Sequence, residues 1–158
     1  MDDIEELAPI AVDDLAEKVG ETVAQSRWRV IDQAMIDSFA DLINDHQFIH
    51  VDPVKAKQTP YGSTVAHGFL SLSIFGGLAA EVAPRLAGRA MSINYGFDRI
   101  RFVAPVREGR KVRTTLVLNR LDHRDDTVDI VYDGTLEVEG EDRPAVAAVW
   151  LVRCYIGA

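Results

Sequence analysis

Three of the four histidines in this 158-residue chain, His46, His50 and His67, fall within 22 residues. They lie close to Asp45 and Asp52, on either side of a segment marked by Pro53, Pro60 and Gly62. A carboxylate beside an imidazole supplies a proton acceptor and a proton donor near neutral pH, the equipment for adding water to a polarised substrate or removing it. Asp45 and His50 stand five apart, which puts them on different sides of a regular helix and on opposite faces of a strand. Only an irregular turn lets both side chains converge. The other half of such a site is an anion stabiliser, and Ala66, His67 and Gly68 lie where an apolar helix is expected to begin, with backbone N–H groups that lack intrahelical partners. Gly68 lets a substrate carbonyl approach its N–H without meeting a Cβ. Donors aimed at a developing oxyanion contribute about 3 to 4 kcal/mol to transition-state stabilisation, so the helix start matters as much as the acid/base pair.

The elements that must hold these residues follow from periodicity. Residues 1–26 form an acidic opening, with seven carboxylates and no base before Lys18, and read as a peripheral helix or an arm. A short strand is expected over 27–31. Asp32 then caps a helix in which Ile36, Phe39, Ala40 and Ile43 recur at i, i+3, i+4 and i+7, ending near Asn44. Residues 45–62 have little periodicity and read as a long loop with one helical turn over 53–57; loops of that length in a domain of this size are often functional. Residues 64–82 are apolar or small on nearly every face, which marks a central, buried helix. Beyond Gly88 the pattern changes to period two: Val128, Ile130, Tyr132, Leu136 and Val138 alternate with polar or small residues, and 112–118 and 146–156 are rich in β formers. Turns are expected at 107–109, 124–126 and 139–143. Helices followed by a meander give an α+β domain over 27–158, an antiparallel sheet of about five strands wrapped around one long helix.

Composition bounds the function. With 17 Lys plus Arg against 25 Asp plus Glu, the formal net charge is −8, which opposes general attraction to nucleic acid or anionic lipid. Cys154 is the only cysteine, so neither an internal disulfide nor a cysteine-cluster zinc site can form; it reads as a buried small residue. His46 and His50 are i, i+4, but Pro53 and the lack of a clear third ligand argue against a metal, and none is expected. His46 is expected to be solvent-facing or structural, His67 to cap or pack at the helix start, and Trp28 and Trp150 to make core or dimer contacts. The N-terminus is acidic where a targeting peptide is basic, and the longest nearly apolar run, 69–80, is far below the ~18 residues that span a bilayer. A cytoplasmic location without membrane association is the expectation.

Three segments carry a resemblance. DHQFIHVDP (45–53), AHGFL (66–70) and RIRFVAPVREG (99–109), in that order and spacing, resemble the MaoC-like dehydratase family, especially its NodN-like branch, and the similarity covers roughly residues 31–154. Where the family has Gly-Asp and then Asn-Pro before Ile-His, this chain has Asn44 for the Gly, Gln47 for the Asn and Phe48 for the Pro; Asp45, Ile49 and His50 match. The resemblance implies a hot-dog fold and (R)-specific enoyl-CoA hydratase or 3-hydroxyacyl-thioester dehydratase activity. Asp45 and His50 hold and activate one water that adds syn across a trans-2-enoyl thioester, and the Gly68 N–H polarises its carbonyl. No cofactor beyond the substrate's own coenzyme A is implied. His67 is expected beside the substrate, and Arg99, Arg101 and Arg107, from a stretch with six bases and one acid within 15 residues, are the candidate partners of its phosphates. The family pairs as homodimers with joined sheets, so both subunits can contact an acyl-CoA or acyl-carrier thioester. Two other functions fit the same fold: an acyl-CoA thioesterase, which releases free thiol, and a non-catalytic acyl-thioester-binding domain.

Overall fold

The apolar stretch after His67 becomes the helix on which the chain is built. In the computed structural model, which describes residues 8–157, the elements run α1 (Val12–Ala16), β1 (Thr22–Gln25), β2 (Arg29–Val30), α2 (Gln33–Ile43), α3 (Phe48–Val51), α4 (Pro53–Ala56), α5 (Gly68–Val82), β3 (Arg89–Phe102), β4 (Lys111–Arg124), β5 (Thr127–Val138) and β6 (Val146–Ile156). The strands form one antiparallel sheet in the order β1-β4-β5-β6-β3, with β2 paired to the start of β4. Leu70, Phe75, Leu78 and Ala79 of α5 are buried with Val112, Leu116, Leu118, Ile130, Leu136 and Trp150 of the sheet. Close approach needs small residues: a Cβ on Gly134 of β5 would lie 2.5 Å from the Phe75 ring. Thr114, fully buried on β4, donates its hydroxyl to the Phe75 carbonyl at 3.1 Å and fastens sheet to helix.

The sheet has six strands rather than about five: β1 is the added member, and β3, the strand that leads into the turn at 107–109, lacks the period that marks the others. β3 is exposed along most of its length and is broken by irregularities near Arg89, Asn94 and Phe97. Each extra residue flips the side chains to the other face and erases the period of two. β1 is short, with one buried residue, Ala24. It lies before residue 27 and is hydrogen-bonded to β4, and Leu15 of α1 is fully buried in the core. The described part of the 1–26 segment is therefore built into the domain; residues 1–7 lie outside the described residues. Asp32 caps α2 as expected, accepting from the Met35 N–H at 2.8 Å. Cys154 and Trp150 are buried, while Trp28 is partly exposed beneath the Arg113 guanidinium, 4.5 Å from its ring centre. No helix among the described residues is long and apolar enough to cross a membrane.

Candidate active site

The segment between α2 and α5 turns sharply because of one residue. Asn44 ends α2 in the left-handed region, φ 55°, which favours Gly or Asn. Its N–H and that of Asp45 both bond the Ala40 carbonyl, and the chain leaves the helix axis at Asp45. Asn in place of the family's Gly thus keeps the turn. Phe48 opens α3, the first helical position where Pro is favoured but not required. That short helix carries His50, which is buried.

Three ties hold His50 in place. Its Nδ1 lies 2.6 Å from the Val65 carbonyl; a carbonyl only accepts, so Nδ1 carries the proton and a neutral His50 has its lone pair on Nε2. Gln33, at the start of α2, donates to the His50 carbonyl at 2.8 Å and accepts from the Thr64 hydroxyl. His67 stacks on the His50 ring, centroids 3.7 Å apart and planes inclined by 23°. Burial pushes the His50 pKa below its usual 6.5 and the neighbouring His67 lowers it further, against opposing contributions from the Val65 carbonyl and Asp45. His50 is therefore a neutral base at physiological pH.

His67 also reaches the other partner. Its Nε2 donates to the Asp45 main-chain carbonyl at 3.0 Å, and its Nδ1 is buried without a hydrogen-bond partner among the described residues. An Asp45 carboxylate oxygen, a His50 nitrogen and a His67 nitrogen all lie within 4.8 Å of one another. Asp45 itself is exposed, so its carboxyl group meets the buried imidazoles from the solvent side. After the two ring nitrogens bonded to carbonyls are set aside, Asp45 Oδ, His50 Nε2 and His67 Nδ1 are the atoms here that could hold a small polar molecule or a metal ion. His46 takes no part: it is exposed and pairs with Asp41 at 2.8 Å.

His67 is the residue before α5, and Gly68 is its first residue. The Ser71 N–H bonds the His67 carbonyl, which leaves the N–H groups of the first turn without intrahelical partners. A Cβ on Gly68 would come within 3.3 Å of the Phe102 ring. The arginines fall differently. Arg107 is exposed, and its backbone bridges to Val65, the residue that holds His50. Arg99 and Arg101 are also exposed and stand in register with Val149 and Ala147, whereas Ala148 and Trp150 face the core. They project from the sheet face turned away from α5, along a shallow groove with Asp133 and Thr135. Within one protomer the structure does not bring Arg99 and Arg101 to Asp45 and His50. Sequence reading missed Gln33 and Val65: one acts through its side chain from a helix start, the other through a carbonyl that no residue type announces.

An antiparallel sheet curled around one buried helix is the hot-dog architecture, and an aspartate and two histidines gather at the start of that helix. Residues 14–139 match the family model described as "MaoC like domain", and the chain belongs to the MaoC-like family. It is 43% identical over 145 residues to nodulation protein N of Rhizobium meliloti, covering 90% of this chain and 89% of that one. It is 42% identical over 144 residues to 3-hydroxyacyl-thioester dehydratase Z of Mycobacterium tuberculosis, covering 90% and 95%. Among solved structures, R-hydratase PhaJ1 from Pseudomonas aeruginosa shares the fold with a TM-score of 0.72 at 20% identity, over 95% of this chain and 88% of that one.

Proposed function

We propose that this protein is a hydro-lyase that interconverts trans-2-enoyl and (R)-3-hydroxyacyl thioesters. The observation that carries the reading is the gathering of Asp45, His50 and His67 within 4.8 Å at the start of α5, with His50 Nδ1 tied to a carbonyl and Nε2 left as a base. In the hydration direction a water held by Asp45 and His50 gives its proton to His50 Nε2, and its oxygen attacks C3. The Gly68 N–H takes the charge that develops on the thioester oxygen, and a proton returned to C2 on the same face completes the addition. The relative named as a 3-hydroxyacyl-thioester dehydratase supports the substrate class.

The phosphates of coenzyme A are assigned to Arg107 of the same protomer and to Arg99 and Arg101 across a homodimer. β3 is the outer strand of the sheet, 14 residues long, and carries exposed Met91, Ile93 and Tyr95. A long apolar edge of that kind is a template for a second copy. The test is crotonyl-CoA with purified protein, following the conjugated enoyl-thioester absorbance, with a thiol reagent in parallel. Loss of absorbance without thiol release, absent in Asp45→Asn, is the expected result. Thiol release with the absorbance intact makes the protein a thioesterase and overturns the reading.

A further inference from the structure

Along the middle and C-terminal turns of α5 a cavity of about 600 Å³ opens between that helix and β3, β5 and β6. This volume falls in the range of small-molecule pockets. The helix side carries Leu72, Ser73, Gly76 and Ala80, and the largely apolar sheet side carries four polar residues, Tyr132, Asn94, Ser92 and Arg89. Tyr132 is 1% exposed. Its hydroxyl is hydrogen-bonded to no other described residue and, unlike His67 Nδ1, is not a fully enclosed atom, so a molecule in the cavity can reach it. Trp150, packed 5.8 Å away ring to ring, spends its indole N–H on Asn94 Oδ1 at 2.8 Å, which leaves the Asn94 amide N–H groups to the open side. Burial raises the Tyr132 pKa and no anion-stabilising bond opposes it, so the group is a donor. Arg89 supplies positive charge at the exposed end of the same wall, where it also acts on the Cys154 thiol.

A plain alkyl chain leaves this donor unsatisfied. We propose that the cavity receives the acyl chain and that Tyr132 is a specificity-determining residue, donating to an oxygen on that chain, so that oxygenated chains, ω-carboxylates above all, are preferred to alkyl chains. The inference rests on the hydratase reading of the Asp45 and His50 site and names its substrate class. The distance fits a substrate of moderate length: Gly76 lies eight residues, about 12 Å, along the helix from Gly68.

The test compares trans-2-enoyl-CoA thioesters of about six to twelve carbons, each as the alkyl, ω-hydroxyl and ω-carboxylate form. Native protein is expected to favour an oxygenated form in kcat/KM by tenfold or more at its best chain length. Tyr132→Phe, which keeps the ring and removes one oxygen, is expected to erase that preference while alkyl turnover stays within twofold. Arg89→Gln separates the two sources of oxygen by lowering the ω-carboxylate form alone. Equal kcat/KM for alkyl and oxygenated forms at every length, or a Tyr132→Phe loss shared equally by both, overturns the proposal. Calorimetric Kd values for the saturated alkyl- and ω-carboxyacyl-CoA pairs, on native and Tyr132→Phe protein, give the same ratio without turnover. A preference in binding without hydration refutes the hydratase reading and keeps the polar subsite; hydration without any preference refutes the subsite and keeps the hydratase.

Discussion

Residues 45–68 and residues 99–113 are both dense in chemically capable side chains, and folding treats them in opposite ways. The first segment is irregular, and its side chains converge: His50 is anchored on the Val65 carbonyl, His67 on the Asp45 carbonyl, and the two rings stack. The second runs through strand, turn and strand, and its six cations scatter. Arg99 and Arg101 face away from α5, Arg107 sits in the turn, and Arg110, Lys111 and Arg113 pair across to Glu141, Glu139 and Glu137. Pleat and register decide where a strand residue points. A loop, by contrast, can bend its donors and acceptors onto a single point when backbone carbonyls hold them there.

The contrast breaks most sharply at the convergent site. His50→Ala and Asp45→Asn are each expected to lower hydration of crotonyl-CoA by about 10² or more, the scale of a lost acid or base, with near-native circular dichroism. Retention of rate by both variants ends the assignment. The pH profile comes next. Because burial lowers the folded-state pKa of His50 beneath 6.5, kcat/KM is expected to hold at neutral pH and to fall about tenfold per unit once the pH drops through that lowered value. Stability follows the same sign: the unfolded chain binds the proton more readily, so the contribution is fully present above pH 6.5 and is lost as the pH falls through the folded value. An acid limb with its midpoint above 6.5 contradicts both.

How much of this was legible in the sequence depended on which force set the geometry. The helix capped by Asp32, the buried helix after His67 and strands β4, β5 and β6 each carried their own period, because one face of each meets the core. β3 carried none, since it is exposed and its register shifts. The pairing of Asp45 with His50 was legible from residue types and a family resemblance, whereas the agents that position them were not. Gln33 works 17 residues away from His50, and the His67 contacts are to a ring and a main-chain carbonyl, neither of which leaves a mark on composition.

Gln33 sharpens the comparison from the supporting side. Its amide bonds the His50 carbonyl, and its carbonyl oxygen accepts from Thr64, so it ties α2 to both ends of the irregular segment. Gln33→Leu strands those groups and is expected to cost about 1 to 3 kcal/mol, a fall of roughly 2 to 12 °C in Tm. The loss of kcat is expected to be several-fold and to be shared by crotonyl-CoA and longer substrates. Unchanged Tm and rate would mean that the segment is held by the Val65 and Asp45 carbonyls alone.

The scattered segment yields the smallest effects and the finest discrimination. An exposed cation that meets a phosphate contributes on the scale of about 1 kcal/mol or less, a few-fold in KM, and the contribution fades as salt screens it. Arg107→Ala, beside Val65 on the same protomer, is expected to raise KM for CoA thioesters a few-fold at low salt with kcat unchanged. Arg99→Ala with Arg101→Ala acts only where a second subunit brings that outer face to the substrate. Its effect on KM is therefore expected to appear in the concentration range where sedimentation shows a dimer and to vanish when the β3 edge is disrupted by Met91→Lys. A KM shift from Arg99→Ala and Arg101→Ala that persists in a monomer would place the thioester on the outer face of its own sheet, where no group of the Asp45 and His50 site stands, and the assignment of the phosphates would have to be redrawn around Arg107.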